Sequence, residues 1–198
     1  MHDDSQTADT ELVALALQNP DYFTPLVERY EPKLFRYIRR FAGLSKECAE
    51  DVLQEAFLKI YRNLNDFDGD LKFSSWVYRI AHNETVSYLR KNKKKETVTI
   101  ENNDPDMINL LDVLESDANV VNDAKKMEIR EKVRQVLGEL PQKYREVLVL
   151  RFLEELDYAE ISDVLRKPMG TVATLLNRAK TKFKELAIKN HLTLLLHE

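Results

Sequence analysis

The chain has 198 residues, room for one domain or two small ones, and its four glycines and 43% apolar content favour packed helices over sheet. A single cysteine, Cys48, excludes an internal disulfide and fits a reducing, cytoplasmic setting; the four histidines share no ligand spacing with it, so no metal and no cofactor is expected. The net charge of −4 conceals segregation, because residues 1–23 and 96–124 carry acids and no Lys or Arg, which concentrates the cations elsewhere.

In chain order, Thr10 is placed to cap a short helix from Glu11 to Gln18 that ends before Pro20. Phe23, Leu26, Val27, Tyr30, Leu34 and Ile38 make an apolar stripe that stops near Gly43, and Pro32 inside it is expected to kink or divide the helix. Arg36, Arg39 and Arg40 read as a solvated face or as a contact with nucleic acid or a protein partner. Ala49, Val52, Leu53, Ala56, Phe57, Ile60 and Leu64 form the next stripe, with Glu50, Asp51, Gln54, Glu55 and Leu58 opposite. Asn63, Asn65 and Asp66 break it, and Gly69 suits a turn with positive φ.

A further helix is expected to start at Ser74 or Ser75, either of which can cap it. Phe73, Val77, Ile80, Ala81 and Tyr88 share one side; Trp76, Arg79, Asn83, Ser87 and Arg90 share another. Arg holds phosphate, Asn reads base edges and an aromatic ring stacks on an unpaired base, so this second side suits nucleic acid. The competing reading is a solvated face with Trp76 turned inward, and for Trp76 alone the core is favoured. DVLQEAFLKIYRNL followed by FSSWVYRIAHNETVSYLRK resembles the second conserved domain of bacterial sigma factors of the extracytoplasmic-function group. The resemblance implies that Asp51, Gln54, Glu55 and Leu58 face core RNA polymerase. It also implies that Asn83 and the loop Asn65 to Lys72 line the pocket for the −10 element. With the polar side of the helix added, the −10 set is Asn65, Asp66, Phe67, Lys72, Trp76, Arg79, Asn83, Ser87 and Arg90, and Lys91 to Lys95 would hold adjacent phosphates.

Residues 96–124 read as an acidic flexible linker with one weak apolar patch, Met107 to Leu114. A second helical domain begins near Lys125, patterned by Ile129, Val133, Val136, Leu137 and Leu140, and Pro141 suits the first turn of the next helix. Asp157 with Glu160 spells a capping box for a short helix burying Ile161, Val164 and Leu165. A tight connection, Arg166 to Gly170, leads to a longer helix burying Val172, Leu176, Ala179, Phe183 and Leu186. Short helix, turn, longer basic helix is the helix-turn-helix pattern, whose second helix enters the major groove. Its groove side carries Thr171, Ala173, Thr174, Asn177, Arg178 and Lys182, with Lys167 and Lys180 nearer the backbone. The stretch from LGELPQKYREVLVL to KTKFKEL resembles the fourth sigma domain, which implies −35 reading and a contact with the polymerase flap tip. The family commonly has an Arg-Ser-Arg type triplet after GTV, whereas Ala173, Thr174 and Leu175 stand here, so a weak or unusual −35 element is expected.

The expected architecture is all-α: 1–95 (with 1–22 a short helix and tail), the linker 96–124, 125–190, and a tail 191–198 that caps the last domain or binds a partner. The resemblance implies core polymerase (β and β′ subunits), promoter DNA, duplex at −35 and single-stranded at −10, and an anti-sigma factor as partners. No long apolar run suggests membrane insertion. A helix-turn-helix regulator of duplex operators is the alternative; it leaves the Asp51–Glu55 face without a task. An enzyme has no nucleophile–base pair, phosphate-cradling glycine loop or metal cluster to support it.

Overall fold

In α2, Phe23–Ala42, the apolar positions recur so regularly that Leu26, Tyr30, Leu34, Tyr37, Ile38 and Phe41 all reach the core. A computed structural model describes residues 8–69, 71–92, 105–114 and 123–197, and no strand occurs among them. Lys93–Lys95, Asp70 and the acidic residues at 96–104 and 115–122 lie outside the described residues. The chain divides into two compact units, α1 to α4 lying in the first.

In the first unit α1, Asp9–Gln18, packs on α2, which packs with α3, Lys46–Arg62, and α4, Phe73–Lys91. Pro32 does not divide α2, whose twenty residues run through it. Gly43 ends the helix in the left-handed region, φ 68°, donating its N–H to the Arg39 carbonyl at 2.8 Å. Positive φ is thus needed at Gly43 and not at Gly69. Thr10 lies inside α1 rather than capping it: Ala8 is the cap residue, and Asp9 pairs with Arg29 at 2.5 Å and accepts from the Tyr30 hydroxyl, which ties α1 to α2. Ser74 and Ser75 do not cap α4 either, since the helix opens one residue earlier with Lys72 at the cap, and Ser75 is buried. Arg40 is 3% exposed, which removes it from the solvated face suggested by its charge.

In the second unit α5, Asp123–Glu139, buries Ile129, Val133, Val136 and Leu137. Pro141 caps α6, Gln142–Leu148, one position before the expected first turn; the chain then widens into a π-turn over Val149–Leu153. The helices α7, Tyr158–Leu165, and α8, Met169–Lys189, follow, and α9, Leu192–His197, packs on α5 and α8 through fully buried Leu192. Pro105–Leu114, inside the acidic stretch read as a linker, forms a 3₁₀ helix that packs on α5, α8 and the π-turn.

Candidate polymerase and nucleic-acid interface

The Ser45 Oγ accepts from the Cys48 amide at 3.3 Å and so fixes the start of α3, whose Ala49, Val52, Leu53, Ala56 and Ile60 turn inward. The same helical step sends Asp51, Gln54, Glu55 and Leu58 outward together, and all four are exposed. Beside them α2 and α3 leave an apolar groove of about 450 Å³ lined chiefly by Phe23, Val27, Leu53, Phe57, Leu58 and Tyr61. Phe23 meets the Tyr61 ring edge-on at 5.1 Å, and Leu58 and Tyr61 are each 45% exposed. Large apolar side chains are here left half in water around a concavity, next to carboxylates, the composition common to docking faces. Sequence reasoning found Gln54 and Leu58 and missed Phe23, Val27, Phe57 and Tyr61, because periodicity displays one helix at a time. The clue it contained was Tyr61, a large ring outside the α3 stripe.

On α4, Asn83 and Arg90 are exposed and Arg79 and Ser87 partly so, at steps of three and four. The Lys59 ammonium lies 2.6 Å from the Glu84 carboxylate and braces α3 against α4 beside Asn83. Inside, the Tyr37 hydroxyl and His82 Nδ1 are 2.8 Å apart and hold α2 to the same turn. Asn65 and Asp66 stand exposed on a short 3₁₀ turn, Leu64–Asp66, with Lys72 exposed at the far side of the loop. Trp76 departs from its expected place in the −10 set. It is 5% exposed, its rings 5.6 Å from those of Phe67 and Phe73, while Phe67 meets Phe73 edge-on at 5.2 Å. A covered indole offers no face to a base; burying so large a ring outweighs leaving it in water. Trp76 is the floor under the loop, and half-buried Phe67 rests on it.

In the second unit the capping box forms as the sequence spells it. The Glu160 amide donates to Asp157 Oδ1 at 2.8 Å and the Asp157 amide to Glu160 Oε2 at 2.9 Å. The turn that follows is tied twice, by the Ser162 hydroxyl donating to the Lys167 carbonyl at 2.6 Å and the Lys167 amide to the Ser162 carbonyl at 3.1 Å. Arg166 takes φ 50° there. From this turn α8 exposes Thr171, Thr174, Asn177, Arg178 and Lys182 on one flank, with Ala173 and Lys180 partly covered.

The cations on this flank differ in their freedom. Lys182 pairs with Glu185 at 2.7 Å, Lys180 lies over the Phe152 ring at 5.4 Å, and Lys167 is 3.9 Å from Glu146. Arg178 is exposed and has no ionic partner among the described residues. The Thr174 hydroxyl donates to the Gly170 carbonyl at 2.8 Å, so it presents a methyl and an acceptor outward. Burial raises the Glu146 carboxyl above its ordinary range, and Lys167 opposes that rise. Among the described residues no group of His, Cys, Asp and Glu could hold a metal, and no helix is long and apolar enough to cross a membrane.

Two family models match the chain, Sigma-70 region 2 over residues 26–95 and Sigma-70, region 4 over residues 130–183. The ECF RNA polymerase sigma factor SigW of Bacillus subtilis is 34% identical over 166 residues, 83% of this chain and 88% of that protein. The ECF RNA polymerase sigma-E factor of Escherichia coli is 32% identical over 159 residues, 80% of this chain and 82% of that one. Among solved structures, CnrH in complex with the cytosolic domain of CnrY superposes with a TM-score of 0.67 at 26% identity, covering 92% of this chain and 99% of that one.

Proposed function

The chain belongs to the sigma-70 family, in its extracytoplasmic-function group, and from that premise we propose how its surfaces divide the work of starting transcription. The exposed face Asp51, Gln54, Glu55, Leu58, with the apolar groove beside it, docks on core polymerase. Asn65, Asp66, Phe67 and Lys72 in the loop, with Arg79, Asn83, Ser87 and Arg90 on α4, take the −10 element once its strands part. Unstacking a base costs a few kcal/mol, so this surface must return at least that much through phosphate contacts and base-edge bonds. The exposed flank of α8 reads duplex DNA near −35, chiefly through Asn177 and Arg178. No covalent step is involved; the factor acts through binding energy alone. An anti-sigma protein is the expected antagonist.

The observation that supports this reading is that an exposed acidic face with an apolar groove beside it and an exposed polar row lie on the two packed helices α3 and α4. A regulator that binds only duplex operators accounts for α7 and α8 and leaves the α3 groove without a task. Leu58→Asp should weaken binding to core polymerase at least tenfold, about 1.4 kcal/mol or more, without unfolding the exposed site. Paired Arg79→Ala and Asn83→Ala substitutions should leave that affinity intact and suppress strand opening at −10. Wild-type core binding by Leu58→Asp, or normal opening by the paired variant, would overturn the assignment.

A further inference from the structure

The acidic stretch between the two DNA-reading units holds an apolar grip of its own. Met107, Leu110 and Leu111 recur at the three- and four-residue steps of one helix face, and they are 1%, 0% and 5% exposed. They pack on α5, α8 and the π-turn over Val149–Leu153, all parts of the second unit. Asp106 and Asn109 flank them and remain partly in water. Three buried side chains are a small anchor for a ten-residue segment, which makes this a contact of limited extent.

Its place in the chain gives that small anchor a consequence. With Pro105–Leu114 docked, only the twelve residues 93–104 join α4 to the docked segment, a reach of at most about 43 Å. With it released, the thirty residues 93–122 join α4 to α5, and the reach grows to about 108 Å. Elements centred at −10 and −35 lie roughly 25 base pairs apart, about 85 Å at 3.4 Å per pair. Units of this size extend about 17 Å from their centres, which leaves roughly 50 Å for the chain to bridge. The docked tether falls short of that distance and the released tether covers it with slack.

We propose that Met107–Leu111 is a displaceable internal ligand of the second unit. Docked, it fills an apolar groove and shortens the tether; released, it lets one molecule hold both promoter elements and leaves the groove open. The groove therefore accepts a short apolar segment with side chains at i, i+3 and i+4 and acidic flanks, the chemistry of its resident. The release rests on the function proposed above; the groove does not.

Two arms of one experiment separate those claims. A fluorescent synthetic peptide of residues 104–115 is titrated into the full-length chain and into Leu110→Ser/Leu111→Ser, with Leu110→Ala as a milder variant should the double one fail to fold. The peptide should bind the emptied variants at least tenfold more tightly than wild type, where the tethered resident competes at high effective concentration. No binding to a folded variant, or equal binding to all, overturns the groove. In the second arm, hydrogen exchange of amides 107–111 is followed in the free protein and with core polymerase on promoter DNA. Protection in the free protein that is lost in the complex supports release; protection retained there, or absent from the free protein, overturns it. Failure to bind polymerase at all removes the function reading, and release with it, while the peptide arm still decides the groove.

Discussion

At the scale of single residues, burial separates side chains open to a nucleic acid from those that hold such side chains in place. Trp76 belongs to the second kind. Trp76→Ala should cost the first unit about 3–5 kcal/mol, read by urea denaturation, because it empties the floor beneath Phe67 and Phe73. A fully stable Trp76→Ala that still fails to open promoters would mean the indole meets DNA directly. Arg178 belongs to the first kind: its guanidinium is exposed, while Lys180 and Lys182 are engaged within the molecule. Arg178→Ala should weaken binding to −35 DNA by about 1–3 kcal/mol, and Lys182→Ala by less, measured by footprinting titration with the holoenzyme. Glu146 supplies a pH signature. Its folded carboxyl titrates above the usual value of 4.5, so the folded state holds that proton more tightly than the unfolded state does. The associated stability is present below pH 4.5 and is lost as pH rises through the folded pKa. Relative to wild type, Glu146→Gln should therefore gain stability between pH 4.5 and pH 7 in paired denaturation curves. A constant difference across that range would contradict it.

At the scale of elements, what could be read from the chain was whatever a local pattern encodes. The capping box of Asp157 and Glu160 is spelled by two residues three apart and forms with both hydrogen bonds. The buried stripes of α3 and α8 follow from spacing alone, since one helix face needs nothing else to be seen. Helix starts were harder, because Thr10, Ser74 and Ser75 compete with neighbouring residues for the same role. Asp9 takes its partners from α2, twenty residues away, and no local rule reveals that pairing. The α3 groove was half-legible for the same reason: Phe23 and Val27 arrive from another helix. The acid-rich surroundings of Met107–Leu111 masked three buried residues that only the packing of the second unit discloses. Since the capping box is local, Asp157→Ala should lower the stability of the second unit by about 1 kcal/mol in thermal melts. A loss many times larger would show that Asp157 does more than start α7.

At the scale of the whole molecule, segregated charge and two helical units let one chain address a protein machine and its template together. The anionic, apolar-grooved side of α3 and the polar row of α4 lie on adjacent helices braced by Lys59 and Glu84, so the docking and strand capture proposed for them would be mechanically joined. With Ala173, Thr174 and Leu175 after Gly170 and Val172, α8 carries no cation at these three positions, so the proposed function places the burden of promoter choice on the first unit. The measurement that bears most directly on this account is transcription in vitro by core polymerase on a fragmented bacterial genome, with start sites mapped and unpaired thymines probed by permanganate. Added protein should create a defined set of starts absent with core alone, each with reactive thymines around −10 and a shared sequence there stronger than any at −35. No new starts, or new starts whose −10 regions remain paired, would contradict it.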